Sequence, residues 1–535
     1  MGFGGKEALS TAAAAAGHAM AEPCAAAAPP VHARLLRYSP AMVLLAALIA
    51  DSNRHTDPDL WGHLRFGRDF IAAHGLLRHD SYSYSAAGHL WRDHEWLAEV
   101  VMALVYDAAG LVGLKLWKFA CSALTIVLMA ESEAETGAGV RLQFFVTLIA
   151  ALGLILQSQF RPQMFSFVML AGLLTLLARE NYRRDAPLWF VIPLFALWAN
   201  LHGGFFIGVA ALALYTVVAA ISDLAAGAGA RRGLRLGSFT AAAAAATLLN
   251  PYGVGMWETV AHALRNPYTR AVVTDWQPSF HAMISQWHSA HSGVLLYLVV
   301  FGMVVGLGVA FVAQPRGDDL PLVAVAAMMA AAALVSVRNL ALAVIALSGP
   351  LARHLTLVLE RRRGGFESQR HPRVNHWVVL ALCAGLAIQG GLFSTRLASD
   401  QPYPAGALAF MGAHDLSGNV LADFGWGEYV IWHAVPPDRV FIDGRYDTLY
   451  PLHVIRDYLE FYFDRPGAHA TLNSYPHDFV LIGPHTPAAK LMARRGDWTL
   501  LYRDSAALLY ARANSPAARI PGLPVNGVAL AAQFP

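Results

Sequence analysis

Acidic and histidine side chains are concentrated in one polar stretch, residues 57–96, of a chain that otherwise carries few charges. Two aspartates open the stretch, and a histidine–glutamate pair lies near its end. A carboxylate beside a histidine can perform general acid–base chemistry near neutral pH, and the same groups can bind a divalent metal ion. The spacings match no specific metal motif, so a metal and its identity stay open. The candidate residues are Asp57, Asp59, His63, His94 and Glu95.

The two aspartates also have a structural alternative. Asp is a preferred N-cap residue and proline often opens a helix, so Asp57 and Asp59 can cap the helix that the next residues predict. From residue 59 to residue 74 the apolar side chains recur at roughly helical spacing. This pattern predicts an amphipathic helix that lies on the membrane surface.

A second set of polar residues stands at the ends of long apolar runs. Ionisable groups at membrane depth are costly and usually line a cavity or a binding site. Two members of the set are arginines, whose guanidinium groups match phosphate geometry, so we expect an anionic phosphate to compensate their charge. Taken singly, each residue can instead cap a helix end or anchor the membrane interface. The set comprises Arg161, Gln163, Asn200, His202, Tyr252 and Arg338.

A third candidate group lies near the C-terminus, where the sequence Phe-Ile-Asp-Gly-Arg spans residues 441–445. It predicts a strand that ends in a charged turn. Asp443 and Arg445 can form an ion pair within that turn, or the turn can overhang a membrane cavity and contact substrate. The side chains of Trp426 and Tyr446 can stack on sugar rings, because aromatic faces suit the apolar face of a pyranose.

The composition explains which elements must position these residues. Of the 535 residues 56% are hydrophobic and only 14% are charged, whereas soluble proteins carry about 25% charged residues. The net charge of +3 is too small to suggest nucleic acid, and no basic stripe with interleaved aromatics is present. None of the three cysteines lies in a Cys-x-x-Cys motif, which excludes a disulfide scaffold and a cysteine-based zinc site.

Long apolar runs predict about eleven membrane-spanning helices, since one span needs roughly 20 mainly apolar residues. Residues 95–109 form a further apolar stretch, and the acids at its two ends predict a helix at the membrane interface. The predicted spans are Leu36–Ala50, Leu111–Ala130, Leu142–Leu156, Met164–Leu177, Leu188–Ala199, Phe205–Ile221, Leu236–Leu249, Val294–Val312, Leu320–Val335, Leu340–Leu359 and Trp377–Phe393.

Arginine-bearing loops set the orientation, because cytoplasmic loops are enriched in positive residues. With eleven spans, four such loops and Arg34 and Arg37 of the N-terminal tail all fall on one side, which predicts that this side is the cytoplasm. The candidate residues then fall on the opposite side. We therefore expect a protein of the bacterial inner membrane with a cytoplasmic N-terminus and a periplasmic C-terminal region.

The domain organisation follows from this topology. We expect a disordered cytoplasmic tail at residues 1–34, a membrane domain at 35–396 with a periplasmic loop at 51–95, and a periplasmic α/β domain at 397–535. In the last segment, β-like runs at 419–423, 439–443, 478–482 and 498–502 alternate with turns, and a helical stretch covers His453–Phe463. The predicted fold class is an α-helical polytopic membrane protein with a small C-terminal α/β domain.

These motifs resemble those of the GT-C superfamily of integral-membrane glycosyltransferases, a group that includes the protein O-mannosyltransferases. The chain looks like an uncharacterised bacterial branch of it, and the resemblance covers residues from about 57 to 512. It is carried by a first outer loop with an acidic pair before an amphipathic helix, and by the order of Asp57-x-Asp59-x-Trp61-x-His63, Arg161-Pro-Gln163, Trp198-x-Asn200-x-His202-Gly, Asn250-Pro-Tyr252-Gly and Phe441-Ile-Asp443-Gly-Arg445.

The resemblance implies a function and roles for residues. Such enzymes transfer a sugar from a polyprenyl-phosphate carrier to an acceptor outside the cytoplasm, here a glycan, lipid or protein. By position, Asp57 or Asp59 would deprotonate the acceptor hydroxyl, and Arg161 and Arg338 would neutralise the departing lipid phosphate. Many relatives carry an Asp-Glu pair where this chain has Asp-Pro-Asp, which leaves open which aspartate is the equivalent one.

Two other classes of function remain possible on the sequence. A transporter or flippase of a lipid-linked intermediate would often show paired, Gly- or Pro-broken helices at the membrane midplane, and the sequence shows no such pairing. A non-catalytic subunit of envelope assembly would use the C-terminal region to bind a partner. The lipid bilayer is a partner under every one of these hypotheses.

Overall fold

The computed structural model describes residues 57–155, 157–268, 273–286, 291–363, 402–434, 436, 438–446, 448–520 and 523–524. The predicted N-terminal tail and the first and last predicted spans, Leu36–Ala50 and Trp377–Phe393, lie outside the described residues. All of the candidate site residues lie inside them.

Helices dominate the first part of the described chain, and each of the nine predicted spans that fall within it coincides with a helix. The helices are α1 Leu60–Ala72, α2 Trp96–Glu135, α3 Val140–Ile155, α4 Gln163–Tyr182, α5 Val191–Leu201, α6 Phe205–Ala225, α7 Arg231–Ala246, α8 Gly255–Arg265, α9 Ser279–Gln286, α10 His291–Ala313, α11 Leu320–Val335 and α12 Leu340–Arg363.

Six of the described helices are long and apolar enough to cross a membrane, namely α2, α4, α6, α10, α11 and α12. Two shorter apolar helices, α3 and the segment that contains α5, lie among them. The chain is therefore a multi-pass membrane protein, as the composition predicts. The total of about eleven spans stays a prediction, because two of the spans lie outside the described residues and α7 falls short in length and apolarity.

A kink divides α2 at Gly110, whose φ of 58° is one that glycine adopts readily and other residues rarely do. The first part contacts α1 through Glu99 and Ala103, which lie against Gly67. The second part contacts α4, where Trp117 meets the Phe165 ring and Thr175 donates to the Leu128 carbonyl. The sequence predicts this division, because it places an interfacial helix at 95–109 and a span that starts at Leu111.

The amphipathic helix predicted at residues 59–74 is α1. Its apolar face is buried, with Leu60 and Leu64 fully enclosed and Phe70 only 4% exposed. The face packs against α2 on one side and against the C-terminal region on the other. Trp61 of α1 meets the rings of Tyr403 and Tyr429 edge-on, at centroid distances of 5.7 and 4.9 Å. The helix thus joins the membrane helices to the C-terminal region.

The C-terminal region contains a mixed sheet with helices. Its elements in chain order are α13 Ala405–Ala413, β1 Asn419–Ala422, α14 Gly427–Ala434, β2 Arg439–Val440, α15 Leu452–Tyr462, α16 Ala468–Ser474, β3 Phe479–Ile482, α17 Pro487–Ala493, β4 Trp498–Arg503, β5 Leu508–Arg512 and β6 Leu523–Pro524. The strand order is β2-β1-β3-β5-β4-β6. β1 pairs in parallel with β2 and β3, and β5 pairs antiparallel with β3 and β4.

The four β-like runs of the sequence all contain strands, and the predicted helix 453–463 corresponds to α15. The run at 439–443 is a strand only at Arg439–Val440, because the chain leaves the sheet before the turn that carries Asp443. The loop at residues 57–95, named the outer loop after its predicted side of the membrane, covers this edge of the sheet. Ser83 bridges to Val440 in parallel, and the Val440 amide donates to the Tyr82 carbonyl at 3.0 Å.

Candidate active site

A cavity of about 680 Å³ lies where the outer loop, the ends of membrane helices and the C-terminal region meet. Most of the polar residues singled out in the sequence line this one cavity, although they come from segments far apart in the chain. The lining members are Asp59, His63, His94, Glu95, Arg161, Gln163, His202, Arg338 and Arg445. The fold therefore brings these residues together around one cavity, while the role of each residue stays a prediction.

Arg161, just before α4, holds the acidic pair in place. Its Nε lies 2.5 Å from Asp57 Oδ2, its Nη2 lies 3.0 Å from Asp59 Oδ2, and its Nη1 donates to Asp275 Oδ2 at 2.9 Å. The expected compensation of this arginine by a phosphate is therefore not needed. Three carboxylates from the protein already surround the guanidinium, and this network fixes the orientation of both aspartates.

The two aspartates differ in access to the cavity. Asp57 is only 6% exposed, its Oδ1 accepts the Asp59 amide at 3.0 Å, and it stands behind the lining residues. Asp59 lines the cavity with a side chain 34% exposed. Asp59 occupies the N-cap position of α1 without a side-chain capping hydrogen bond. Its carboxylate thus faces the cavity instead of closing the helix end.

His202, at the end of α5, has a defined tautomer in its neutral form. The Gly204 amide donates to His202 Nδ1 at 3.0 Å, which makes Nδ1 an acceptor and leaves the proton on Nε2. Burial and the positive charge of Arg338 hold the pKa of His202 well below its usual value. The Nε2 atom lies 3.4 Å from Glu95 Oε1. The ring therefore presents a neutral N–H to the Glu95 carboxylate.

His63 on α1 faces two glutamates of the neighbouring helix. Its Nδ1 lies 2.9 Å from Glu99 Oε1 and 3.9 Å from Glu95 Oε2. Burial lowers the pKa of His63, against the opposing effect of Glu95. Ligand atoms of these three residues all lie within 4.8 Å of one another, so they are the described group best placed to hold a metal ion.

Arg338, between α11 and α12, differs from the other arginines of the wall. Its guanidinium carbon lies 4.5 Å from the centre of the Trp276 ring, and no carboxylate pairs with it among the described residues. It also lines a smaller, adjoining cavity of about 90 Å³. Apolar side chains form much of that second wall, including Phe167, Phe206, Ile207, Val260, Leu264 and Leu342.

The turn after β2 contributes both a clamp and a close approach. Arg445 donates to Asp443 Oδ1 and Oδ2 at 2.9 and 2.7 Å and lies 2.8 Å from Asp80 of the outer loop. Its guanidinium also lies within 5.0 Å of the rings of Phe66, Tyr82 and Trp91. The internal pair considered in the sequence is thus present, and Arg445 additionally ties the loop to the C-terminal region.

Gly444 brings the turn backbone against the acidic residues of the cavity. A Cβ at this position would lie 2.9 Å from Asp59 Oδ1 and closer still to Glu428. Glu428, on α14, accepts the Gly62 amide at 3.0 Å. Burial and the nearby Asp59 raise the pKa of Glu428 well above its ordinary value.

Three predicted binding residues do not reach the cavity wall. Asn200 receives the Trp96 indole N–H at 3.1 Å and donates to the carbonyls of Ala196 and Leu249, so it joins helix ends. Tyr252 follows an Asn-Pro turn and its backbone amide binds Asn250 Oδ1 at 2.8 Å. Asp443 is fully buried behind Arg445.

Four acidic residues of the site are not among the candidates that the sequence predicts. Glu99 follows Glu95 by one helical turn, so helical spacing alone places both on one face of α2. Glu428 lies in the aromatic and glycine-rich segment at residues 424–429, in which the sequence suggests the tryptophan for stacking on a sugar. The four residues are Asp93, Glu99, Asp275 and Glu428.

No family model matches the sequence, and no curated protein matches it. The structure is similar to the oligosaccharyltransferase of Archaeoglobus fulgidus, solved with a tethered acceptor peptide, at a TM-score of 0.51 and 12% identity over 84% of this chain and 69% of that one. It is also similar to the arabinofuranosyltransferase AftD from Mycobacteria, at a TM-score of 0.48 and 15% identity over 90% of this chain and 42% of that one. For ArnT from Cupriavidus metallidurans the TM-score is 0.46 and the identity 14%, over 90% of this chain and 98% of that one.

The similarity to the oligosaccharyltransferase exceeds a TM-score of 0.5 and extends over most of both chains. At 12% identity it establishes the fold and not the substrate. The chain therefore has a fold similar to that of this oligosaccharyltransferase, which agrees with the resemblance of its motifs to those of the GT-C group.

Proposed function

We propose that this protein transfers a sugar from a polyprenyl-phosphate carrier to a glycan, lipid or protein acceptor at the outer cavity. The observation that carries the proposal is Arg338. It is the one arginine of the described cavity wall that no carboxylate neutralises, and it stands where the polar cavity meets the apolar one. A lipid phosphate has the matching charge, together with a hydrocarbon chain that suits the apolar side.

The two adjoining cavities support a location for the donor. Gln163, His202 and Arg338 line both of them, so these residues mark the boundary between a polar and an apolar space. The phosphate binds the Arg338 guanidinium, and the neutral His202 ring lies beside it. The polyprenyl chain follows the apolar wall toward the membrane, and the sugar extends toward Asp59.

Asp59 is the residue that we assign as the catalytic base. Its carboxylate lines the cavity, whereas Asp57 stands behind it and binds the Asp59 backbone. The acceptor hydroxyl oxygen attacks the anomeric carbon while the bond from that carbon to the phosphate oxygen breaks. The hydroxyl proton passes to Asp59, and the polyprenyl phosphate leaves with its charge on Arg338. This displacement inverts the anomeric configuration.

Arg161 receives a different role in this proposal from the one that the family resemblance implies. Because Asp57, Asp59 and Asp275 already neutralise it, its contribution is to hold the base in position. We also propose that the protein resides in the bacterial inner membrane with the cavity and the C-terminal region on the periplasmic side. That orientation supplies the base with an acceptor outside the cytoplasm.

A transfer assay tests the proposal. The full chain in proteoliposomes receives undecaprenyl phosphate that carries a radiolabelled hexose or pentose, with a cell-envelope extract as the source of acceptors. We expect label to move to an acceptor with the wild type and not with the double variant Asp57→Asn, Asp59→Asn. Asp185→Asn, an exposed partner of Arg179 far along the chain, is the matched control.

The rival functions give different results in the same vesicles. A flippase moves the labelled lipid across the bilayer without releasing its sugar and needs no acceptor. A non-catalytic subunit leaves the label on the lipid in every variant. Label transfer that persists in the folded double variant contradicts the assignment of the aspartates.

A further inference from the structure

The C-terminal sheet has a point at which the order of its strands reverses. β1 lies between β2 and β3 and pairs in parallel with both, so the chain passes from β1 to one neighbour and then crosses to the other. In open α/β sheets such a reversal leaves a crevice at the carboxyl ends of the strands, and ligands bind there. The strand-end crevice of this sheet lies between the loops at residues 423–426 and 483–486, which follow β1 and β3.

This strand-end crevice opens into the cavity of the candidate active site. Residues 423–426 and 483–486 all line that cavity, together with Tyr446 from the turn after β2 and Ser505 from the turn between β4 and β5. Because β5 pairs antiparallel with β3, the turn that carries Ser505 lies at the same edge of the sheet. The described C-terminal residues that line the cavity therefore form one surface, which we call the C-terminal wall.

Five aromatic rings form a continuous series along the C-terminal wall, with neighbouring centroids 5.2 to 6.3 Å apart. Four of them are at least partly exposed, and such aromatic faces suit the apolar face of a pyranose. Trp426, which the sequence also suggests for stacking, is only 4% exposed and donates its indole N–H to the Pro402 carbonyl at 2.9 Å, so it supports the wall from behind. The series in order is Tyr446, Phe424, the buried Tyr458, Tyr462 and Phe463.

The charge of the C-terminal wall distinguishes among acceptors. Arg445 is the only lysine or arginine among the described residues of this wall, and Asp80 and Asp443 already match its charge. Asp423 and Glu428 add carboxyl groups to the same wall. A phospholipid headgroup or a phosphorylated glycan would meet like charge there, which disfavours an anionic acceptor. The wall therefore suits a neutral molecule.

The geometry of the C-terminal wall argues against a peptide acceptor. An extended peptide that binds to a sheet gains affinity by pairing with an exposed edge strand. No residue of the described strands lines the cavity, and the outer loop covers the β2 edge. The wall instead presents strand-end loops with His485, Thr486 and Ser505, whose side chains are of types that form hydrogen bonds with sugar hydroxyl groups.

We propose that the strand-end crevice is the acceptor site for sugar transfer and that the acceptor is a neutral glycan. The rings of Tyr446 and Tyr462 stack on its pyranose units. Tyr446 stands two residues after Gly444, whose backbone closely approaches Asp59, so the series of rings begins beside the proposed base. The role of the crevice as an acceptor site rests on the proposed function, whereas its binding of a glycan does not.

Equilibrium binding of oligosaccharides to the full chain in nanodiscs, without any sugar donor, tests the proposal. The probes are the neutral pentasaccharides of glucose, mannose, galactose and xylose, with the anionic pentasaccharide of galacturonate for comparison. We expect at least one neutral pentasaccharide to bind and the galacturonate not to bind. Tyr446→Ala and Tyr462→Ala should each weaken the binding by at least about tenfold, because an aromatic anchor contributes much of the binding energy.

Tyr475→Ala is the matched control. Tyr475 is also a half-buried tyrosine of the C-terminal region, and its hydroxyl donates to Asp457 at 2.9 Å, but it does not line the cavity. Its replacement should leave the affinity for the glycan unchanged. If Tyr462→Ala does not fold, Tyr446→Ala carries the test, because Tyr446 lies in a turn outside the helices and strands.

Absence of binding by every neutral pentasaccharide overturns the proposal. Binding of the galacturonate at least as tight, or an equal loss of affinity in Tyr475→Ala, also overturns it. Glycan binding without any sugar transfer contradicts the proposed function alone. Sugar transfer to a peptide or a lipid, without glycan binding, contradicts the neutral-glycan acceptor alone.

Discussion

Replacement of Arg338 by glutamine has the most sharply defined consequence. The guanidinium rests on Trp276 at 4.5 Å and its Nε is buried without a hydrogen-bond partner, so no described carboxylate competes with a ligand for it. A hydrogen bond to a charged group contributes roughly 1.5–3 kcal/mol. Because each 1.4 kcal/mol is a factor of ten in affinity, we expect Arg338→Gln to bind undecaprenyl phosphate about ten- to a hundredfold more weakly.

The assay is titration of the purified protein in nanodiscs with undecaprenyl phosphate. Arg338→Lys should retain part of the affinity, since an ammonium group keeps the charge and loses the planar fork. Arg92→Gln is the control, because Arg92 lies in the outer loop, pairs with Glu258 at 2.8 Å and is absent from the described cavity wall. Wild-type affinity in Arg338→Gln, or an equal loss of affinity in Arg92→Gln, would show that Arg338 does not bind the lipid phosphate.

Four further perturbations probe the surroundings of the site. Asp59→Asn should lower the transfer rate about 10²- to 10⁴-fold with little change in melting temperature. Asp57→Asn breaks a buried ion pair, so it should also lower the free energy of unfolding by about 3–5 kcal/mol. Equal unfolding curves for the two variants would contradict this difference in stability. Arg445→Leu leaves Asp80 and Asp443 buried without their partner, so it should lower the free energy of unfolding in denaturant titrations by about 3–5 kcal/mol. The exposed Arg456→Ala should lower it by less than about 1 kcal/mol. Similar losses in the two variants would argue against a stabilising role of the Arg445 ion pairs. Gly444→Ala crowds Asp59 and Glu428 and should slow sugar transfer. Gly412→Ala is the control, because its added Cβ meets nothing within 4 Å and should leave the rate unchanged. Wild-type rates in both variants would show that the close approach of Gly444 to Asp59 and Glu428 is unimportant. Burial lowers the pKa of His477 to about 4 from 6.5. The unfolded chain therefore takes up the proton first, and stability falls as the pH drops between these values. The fall in melting temperature from pH 7.5 to 4.5 should be smaller in His477→Gln, and an unchanged fall would show that this histidine does not cause it.

The sequence predicts the helices well, because these depend on local patterns, and most of the polar residues that it singles out line one cavity. Apolar runs locate the helices within the described chain to a few residues, as for Phe205–Ile221 within Phe205–Ala225. The arginine-bearing loops predict a topology in which these polar residues lie on one side of the membrane. Asp59, Arg161 and Arg338 accordingly line one cavity despite their separation along the chain.

The partners of those residues could not be predicted, because they depend on tertiary contacts. The sequence suggests that Arg161 binds a phosphate. In the fold, Asp275 from a distant segment contacts Arg161 together with the two aspartates. Asn200 stands in a motif with His202, but its amide is turned toward backbone carbonyls instead of the cavity. The short length of β2 follows from the turn to Asp443, whose clamp on Arg445 requires the outer loop to be folded in place.

A structure of the full chain with undecaprenyl phosphate tests the proposed role of Arg338, because it shows where the lipid phosphate binds. We expect a phosphate within hydrogen-bonding distance, about 3 Å, of the Arg338 guanidinium, with the polyprenyl chain along the apolar wall near Phe206 and Leu342. A phosphate bound instead at Arg161, with Asp57 and Asp59 displaced from it, or a lipid bound outside both cavities, would show that Arg338 does not bind the donor phosphate.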